Sequence, residues 1–95
     1  MNLIVSQAAQ ADLERLREFL GGKDPAAALR AGAALDDAVR SLMTFPQRGC
    51  PTSVAEVREL IVPFGRSAYL LRYALLREAA EIVILRIWHG REVRE

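Results

Sequence analysis

The first half of the chain has one short apolar run and two stretches in which apolar residues recur at helical spacing. Residues 3–5 are apolar and end at Ser6, which predicts a strand followed by a helix with Ser6 as its N-cap. A glycine pair at 21–22 ends this pattern. The Asp-Pro pair at 24–25 then begins an Ala-rich helix that continues to about Met43, because Asp caps free amides and Pro at the first helical position loses no hydrogen bond. The short link predicts an antiparallel helical hairpin.

The second half has the pattern of strands. Apolar runs rich in β-branched and aromatic residues cover 57–62, 68–76 and 82–88. The connections at 63–66 and 77–81 are short enough for hairpins, which predicts an antiparallel meander. One helical hairpin can cover only one sheet face and cannot supply the crossovers of an all-parallel sheet. The predicted fold class is therefore α+β, in the order β-α-α-β-β-β, with the helical hairpin packed on one face of an antiparallel sheet and the first strand at its edge.

Alternation along the last two strands predicts which side chains share a face. The face expected under the helices carries Tyr69, Leu71, Tyr73, Leu75, Val83, Leu85 and Ile87. The opposite face carries Leu70, Arg72, Ala74, Leu76, Ile82, Ile84, Arg86 and Trp88. This second face is too apolar for water, since monomers rarely expose large contiguous apolar patches, and it is predicted to bind a partner with Trp88 half exposed. The predicted partner-binding residues are Leu70, Arg72, Ile82, Ile84, Arg86 and Trp88.

Arg72 and Arg86 are predicted to face each other across the last hairpin. Like charges in directly opposed positions repel, so a carboxylate from the protein or from a partner is expected between them. The alternative is a solvated pair of surface arginines.

Composition and charge narrow the class of protein. The 95 residues, 52% of them hydrophobic and 26% charged, with a formal net charge of +1, predict one soluble domain over residues 1–95 and give no sign of a nucleic-acid binder. The chain has no apolar run of membrane-spanning length and no signal-peptide pattern, which predicts a cytoplasmic protein without membrane contact. Lone Cys50 fits a reducing compartment. One His and one Cys fall short of a metal-ligand set, so no metal or cofactor is expected.

The ordered set of elements carries a family resemblance. The second predicted helix is followed by FPQRG at 45–49, VREL at 57–60, YLLRY at 69–73 and ILRIWHGR at 84–91. Over nearly its whole length the chain resembles the RelE/ParE toxins of bacterial type II toxin–antitoxin modules. The last segment is especially similar to the ParE branch, often labelled plasmid stabilisation proteins. The resemblance implies a RelE/ParE-like fold and a cognate antitoxin as partner, with a homodimer or a heterotetramer with the antitoxin as candidate assemblies.

The resemblance implies two activities. RelE-type members cleave messenger RNA in the ribosomal A site with a cluster of basic side chains and a tyrosine, whereas ParE-like members block DNA gyrase. Arg58 and Arg91 match two of the basic positions of RelE-type members. Leu60 and Leu70 stand where further basic residues would be expected, and the chain ends at Glu95 before the tyrosine.

The candidate catalytic residues are therefore Arg58, His89 and Arg91. Arginine stabilises phosphate but stays protonated near neutral pH, which leaves His89 as the one candidate proton shuttle. A lone histidine that closes a strand is more often a structural hydrogen-bonding residue. The expected function, as the resemblance implies, is a ParE-like toxin that inhibits DNA gyrase rather than cleaving RNA and is neutralised by a cognate antitoxin. The alternatives are a ribosome-dependent messenger RNA endonuclease with a reduced catalytic set and a non-toxic degenerate member.

Overall fold

Two helices pack on one face of a five-stranded sheet. The computed structural model describes residues 1–90 and Glu92. The elements are β1 (Asn2–Val5), α1 (Gln7–Gly21), α2 (Pro25–Thr44), β2 (Cys50–Pro51), β3 (Val57–Phe64), β4 (Ser67–Leu76) and β5 (Glu81–His89). The strand order is β1-β5-β4-β3-β2, with β1 parallel to β5 and the other pairs antiparallel. The predicted α+β class and the edge position of the first strand are confirmed. Two-residue β2 lies where only a turn was expected.

Both helices begin at the predicted caps. The Ser6 hydroxyl accepts a hydrogen bond from the Ala9 N–H at 3.1 Å, and the Asp24 carboxylate accepts one from the Ala27 N–H at 3.1 Å. Each cap satisfies an amide that the first helical turn would otherwise leave without a partner. Local sequence therefore determines where the helical layer starts.

The main core lies between the helical hairpin and the sheet face that it covers. Tyr69 and Tyr73, predicted to be core residues, are 1% and 0% exposed. Among the described residues, the sheet contributes nine buried side chains to this core: Leu60, Val62, Tyr69, Leu71, Tyr73, Leu75, Ile82, Ile84 and Ile87.

A bulge in β5 changes which side chains share a face. Arg72 pairs with Arg86, whereas the next residue on β4, Tyr73, pairs with Ile84, so Leu85 is an extra residue on β5. The extra residue shifts the alternation of side chains by one position. Ile82 and Ile84 are consequently 0% exposed in the core under the helices. The prediction that they belong to the partner-binding face is wrong, because it assumed unbroken alternation along the strand.

Because of the same bulge, two other residues predicted to lie under the helices, Val83 and Leu85, are not part of the core. Val83 pairs with Ala74, and both alternate with core residues, so Val83 belongs to the opposite face. Leu85 lies in the bulge, where its backbone carbonyl accepts a hydrogen bond from the Ser6 hydroxyl at 3.1 Å.

Candidate partner-binding surface

The sheet face away from the helices, called the open face below, has an apolar row across three strands. Ile61 on β3 pairs with Leu70 on β4, which pairs with Trp88 on β5. Ile61 is 64% exposed, whereas Leu70 is 9% and Trp88 only 2% exposed. The expectation that Trp88 is half exposed is therefore wrong. The accessible apolar surface of this row is concentrated at Ile61.

Two arginines lie against the buried indole. The guanidinium carbons of Arg72 and Arg86 lie 4.7 and 5.0 Å from the centroid of the Trp88 ring, within the range of cation–π attraction. Arg72 and Arg86 pair with each other across the two strands, as predicted. Their side chains are 29% and 30% exposed, so they are not a fully solvated pair.

Each of these arginines has a carboxylate partner from within the chain. Arg72 Nη2 lies 2.7 Å from Glu59 Oε2, and Arg86 Nε lies 2.8 Å from Asp12 Oδ2. The expectation was a carboxylate between the two arginines, whereas in the structure Glu59 pairs with Arg72 and Asp12 pairs with Arg86. A carboxylate from a partner would have to compete with these two acids.

Asp12 is a buried acid that connects α1 to β5. Its side chain is 2% exposed and also accepts hydrogen bonds from the Ile87 N–H at 2.8 Å and from Arg15 Nη1 at 2.5 Å. Burial acts to raise the pKa of Asp12, but the hydrogen bonds from Arg86, Ile87 and Arg15 outweigh it and hold the pKa below its usual value of 3.8. The lowered pKa thus favours the ionised carboxylate. This carboxylate accepts a hydrogen bond from the Ile87 N–H, which lies on the edge of β5 beyond the end of β1.

Sequence reasoning did not single out Asp12, although a signal was present. Asp12 stands three residues after Ala9 and four before Leu16, both buried positions of α1. A charged residue on the apolar stripe of a helix needs a buried partner. That position could have flagged it, but only the fold identifies Arg86 as the partner.

Glu92 extends this network past the end of β5. Arg15 donates hydrogen bonds to both Glu92 oxygens, at 2.9 and 3.0 Å, and the His89 N–H donates to Glu92 Oε1 at 2.7 Å. Burial acts to raise the pKa of Glu92, while the hydrogen bonds from Arg15 and His89 lower it more, so the net shift is downward. Arg15 Nη2 also donates to the Ile87 carbonyl at 3.2 Å, so side chains satisfy successive groups along this edge.

The candidate catalytic residues are not brought together. Arg58 Nη1 donates to the carbonyls of Gln47 at 3.2 Å and Gly49 at 2.6 Å. His89 Nε2 lies 3.2 Å from the Ser67 hydroxyl. Arg58 is opposite the β4 residue 73 and His89 opposite residue 69, which separates them by roughly 13 Å along the strand. Arg91 lies outside the described residues.

Within residues 1–90 and Glu92, no group of three or more His, Cys, Asp or Glu side chains is arranged to hold a metal ion. No helix in this described part is both long and apolar enough to cross a membrane.

The protein is thus a small α+β domain whose open face carries two arginines, Arg72 and Arg86, against a buried tryptophan. The sequence model described as "ParE toxin of type II toxin-antitoxin system, parDE" matches residues 3–94. The chain therefore belongs to the ParE toxin family and is the toxin of a type II toxin–antitoxin module. This confirms the resemblance to RelE/ParE toxins.

Curated relatives and a solved structure agree with this assignment. The chain is 42% identical over 92 residues to "Toxin RelE1" of Caulobacter vibrioides, covering 97% of this chain and 96% of that protein. It is 36% identical over 78 residues to "Toxin RelE2" of the same organism, covering 82% and 84%. A chain from the structure "Chromosomal ParDE TA system from P. aeruginosa" superposes with a TM-score of 0.75 at 26% identity, covering 96% of this chain and 97% of that one.

Proposed function

We propose that this toxin acts as ParE-like proteins do, by inhibiting DNA gyrase and hence replication, and that a cognate antitoxin neutralises it in the cytoplasm. The observation that carries the proposal is that, among the described residues, the positions at which RelE-type members have basic residues lack a free basic side chain here. Leu60 and Leu70 are apolar and buried, and the Arg58 guanidinium is bonded to two loop carbonyls. Cleavage of RNA through its 2′-hydroxyl needs a base, an acid and phosphate-binding cations acting on one site. Among the described residues, Arg58 and His89 lie too far apart to share that work.

Purified toxin freed of antitoxin is expected to inhibit DNA supercoiling by gyrase and to leave messenger RNA on ribosomes uncut. A missing acid or base in a cleavage reaction costs about 10²- to 10⁴-fold in rate, so residual cleavage is expected to be slow at best. The measurement compares supercoiling and ribosome-dependent cleavage with the same preparation.

Rapid A-site cleavage that His89→Ala abolishes would instead support a messenger RNA endonuclease, which the RelE names of the curated relatives keep as the second candidate. A protein that inhibits neither process and does not slow growth would be a degenerate member.

We also propose that the antitoxin docks on the open face. The support is the apolar row at its accessible end, where Ile61 is 64% exposed beside Leu70. Leaving a large aliphatic side chain wet forgoes about 1.5 to 3 kcal/mol of burial free energy, which an antitoxin segment would recover. Leu70, Arg72, Arg86 and Trp88 remain the proposed contact region, with Trp88 acting through the arginines stacked on it. An antitoxin carboxylate would displace Glu59 from Arg72 more readily than Asp12 from Arg86, because Glu59 is 23% exposed.

Ile61→Ser is expected to weaken antitoxin binding by about tenfold or more, because it removes the exposed apolar contact without disturbing the core. Leu29→Ser is the matched control, since Leu29 is 78% exposed on α2 of the helical hairpin. Both dissociation constants are measured by calorimetry. If Leu29→Ser weakens binding and Ile61→Ser does not, the antitoxin docks along the helical hairpin and the proposed surface is wrong.

A further inference from the structure

The loop that joins α2 to β2, residues 45–49, is tied to the sheet by a buried tyrosine. The Tyr73 hydroxyl donates a hydrogen bond to the Pro46 carbonyl at 2.7 Å and accepts one from the Gly49 N–H at 2.8 Å. Tyr73 itself is 0% exposed. A Cβ at Gly49 would lie 2.7 Å from a Tyr73 ring carbon and 2.8 Å from its hydroxyl, so only glycine lets the loop approach this closely. One phenol thus holds both ends of the loop.

Two arginines hold the middle of the loop. Arg58 Nη1 bonds to the carbonyls of Gln47 and Gly49, as described above. Arg48 Nη1 donates to the Ser41 hydroxyl on α2 at 2.7 Å, and the Arg48 N–H donates to the Phe45 carbonyl at 3.0 Å. The backbone of the loop is therefore fixed on both sides before any partner arrives.

This fixed loop displays an aromatic side chain to solvent. Phe45 is 65% exposed, and Met43 on the last turn of α2 is 42% exposed. Arg48 lies in the same loop and is also exposed, with guanidinium donors beyond the one that Ser41 accepts. Neither the phenyl ring nor Met43 adds to the core, so the anchoring hydrogen bonds hold in place a surface that does little for folding.

We propose that the loop of residues 45–49 docks into the folded protein target of this toxin, with Phe45 in an apolar pocket and Arg48 facing carboxylates at its rim. The inference rests on the toxin function proposed above and adds the surface that reaches the target. Phe is enriched at the cores of protein interfaces, and Arg is among the residue types that dominate binding energy there. A pre-ordered loop also loses little conformational entropy on binding.

The rigidity of the loop favours the target over the antitoxin as its occupant. A disordered or helical antitoxin segment binds by lying in a groove or by adding to a sheet edge. A projecting side chain on a fixed loop is suited to the reverse geometry, in which the partner supplies the concave surface. A folded target with a pre-formed pocket meets this requirement.

Phe45→Ala is expected to reduce toxicity while antitoxin binding stays intact. The protein level needed for half-maximal growth arrest should rise at least about tenfold, because a central aromatic anchor is lost. The melting temperature and the antitoxin dissociation constant should match those of the parent, since Phe45 is outside the core. Phe19→Ala, which truncates a 54% exposed aromatic on α1, is the matched control and should leave all three quantities unchanged.

Arg48→Glu tests the predicted carboxylate rim and should reduce toxicity at least as much, with Arg40→Glu on the exposed side of α2 as control. Full toxicity of Phe45→Ala, or a loss of antitoxin affinity in that variant, would overturn the proposal. Growth arrest without inhibition of supercoiling would refute gyrase as the target but leave the role of the loop intact. A parent protein that arrests no growth would refute both.

Discussion

Asp12→Ala is expected to lower the free energy of unfolding by about 3–5 kcal/mol, because it leaves buried charges and a strand amide without their acceptor. Arg86, Arg15 and the Ile87 N–H all donate to this carboxylate, which is 2% exposed. A loss of that size is a large share of the stability of a typical small domain. Guanidinium chloride unfolding followed by tryptophan fluorescence and by circular dichroism measures it.

The control is Asp36→Ala, which removes an exposed carboxylate that pairs with Arg40 one turn along α2. Exposed helix pairs contribute about 0.3–0.5 kcal/mol, so this variant should be close to the parent. If the free energy of unfolding of Asp12→Ala lies within about 0.5 kcal/mol of the parent value, as it does for ordinary surface substitutions, the carboxylate does not hold α1 to β5.

The same acid gives the protein a pH signature. The pKa of Asp12 is lowered in the folded state, so its stabilisation is complete above the unfolded-state value of 3.8 and is lost as the pH falls through the lower folded value. The difference in unfolding free energy between the parent and Asp12→Asn should therefore be constant above about pH 5 and should shrink in more acidic solution. A difference that grows towards low pH would contradict the assigned shift.

Trp88→Ala is expected to destabilise the fold by about 3–5 kcal/mol, in the range measured for large-to-small changes of buried aromatic residues. The indole is 2% exposed and lies within 5.0 Å of two guanidinium carbons, so its removal also ends both cation–π contacts. Thermal and denaturant unfolding give the size of the loss. Trp88→Phe, which retains an aromatic ring, should lose less.

Phe19→Ala is the control here as well, because it removes an exposed aromatic with one cation–π partner, Lys23, and should change the free energy of unfolding by about 0.5 kcal/mol or less.

Trp88→Ala also distinguishes two roles for the indole, a structural role under the arginines and direct contact with the antitoxin. A variant that folds as the parent does but binds antitoxin poorly would make the indole a direct contact, contrary to its burial.

The candidate site was partly predictable from the sequence. Alternation along β4 correctly puts Leu70 and Arg72 on the face opposite Tyr69 and Tyr73, because β4 is regular along its own length. The same rule fails on β5 at Ile84, since one extra residue reverses the face of every residue before it relative to those after it. Nothing in the local residue types around Leu85 announces the bulge.

The helices, their caps at Ser6 and Asp24 and the order of all elements except the two-residue strand β2 were determined by the sequence itself. Those features depend on contacts over one helical turn or on periodicity within one strand, so the residues that cause them are adjacent in the chain. The tertiary structure decided the buried pairing of Asp12 with Arg86, which are 74 residues apart, and the anchoring of residues 45–49 by Tyr73. Such contacts form only when α1 packs along β5 and the loop returns to the sheet, and their residues carry no mark of each other in the chain. The surfaces proposed for the antitoxin and for the target follow from this second set of contacts, which determines which apolar side chains the fold buries and which it leaves exposed.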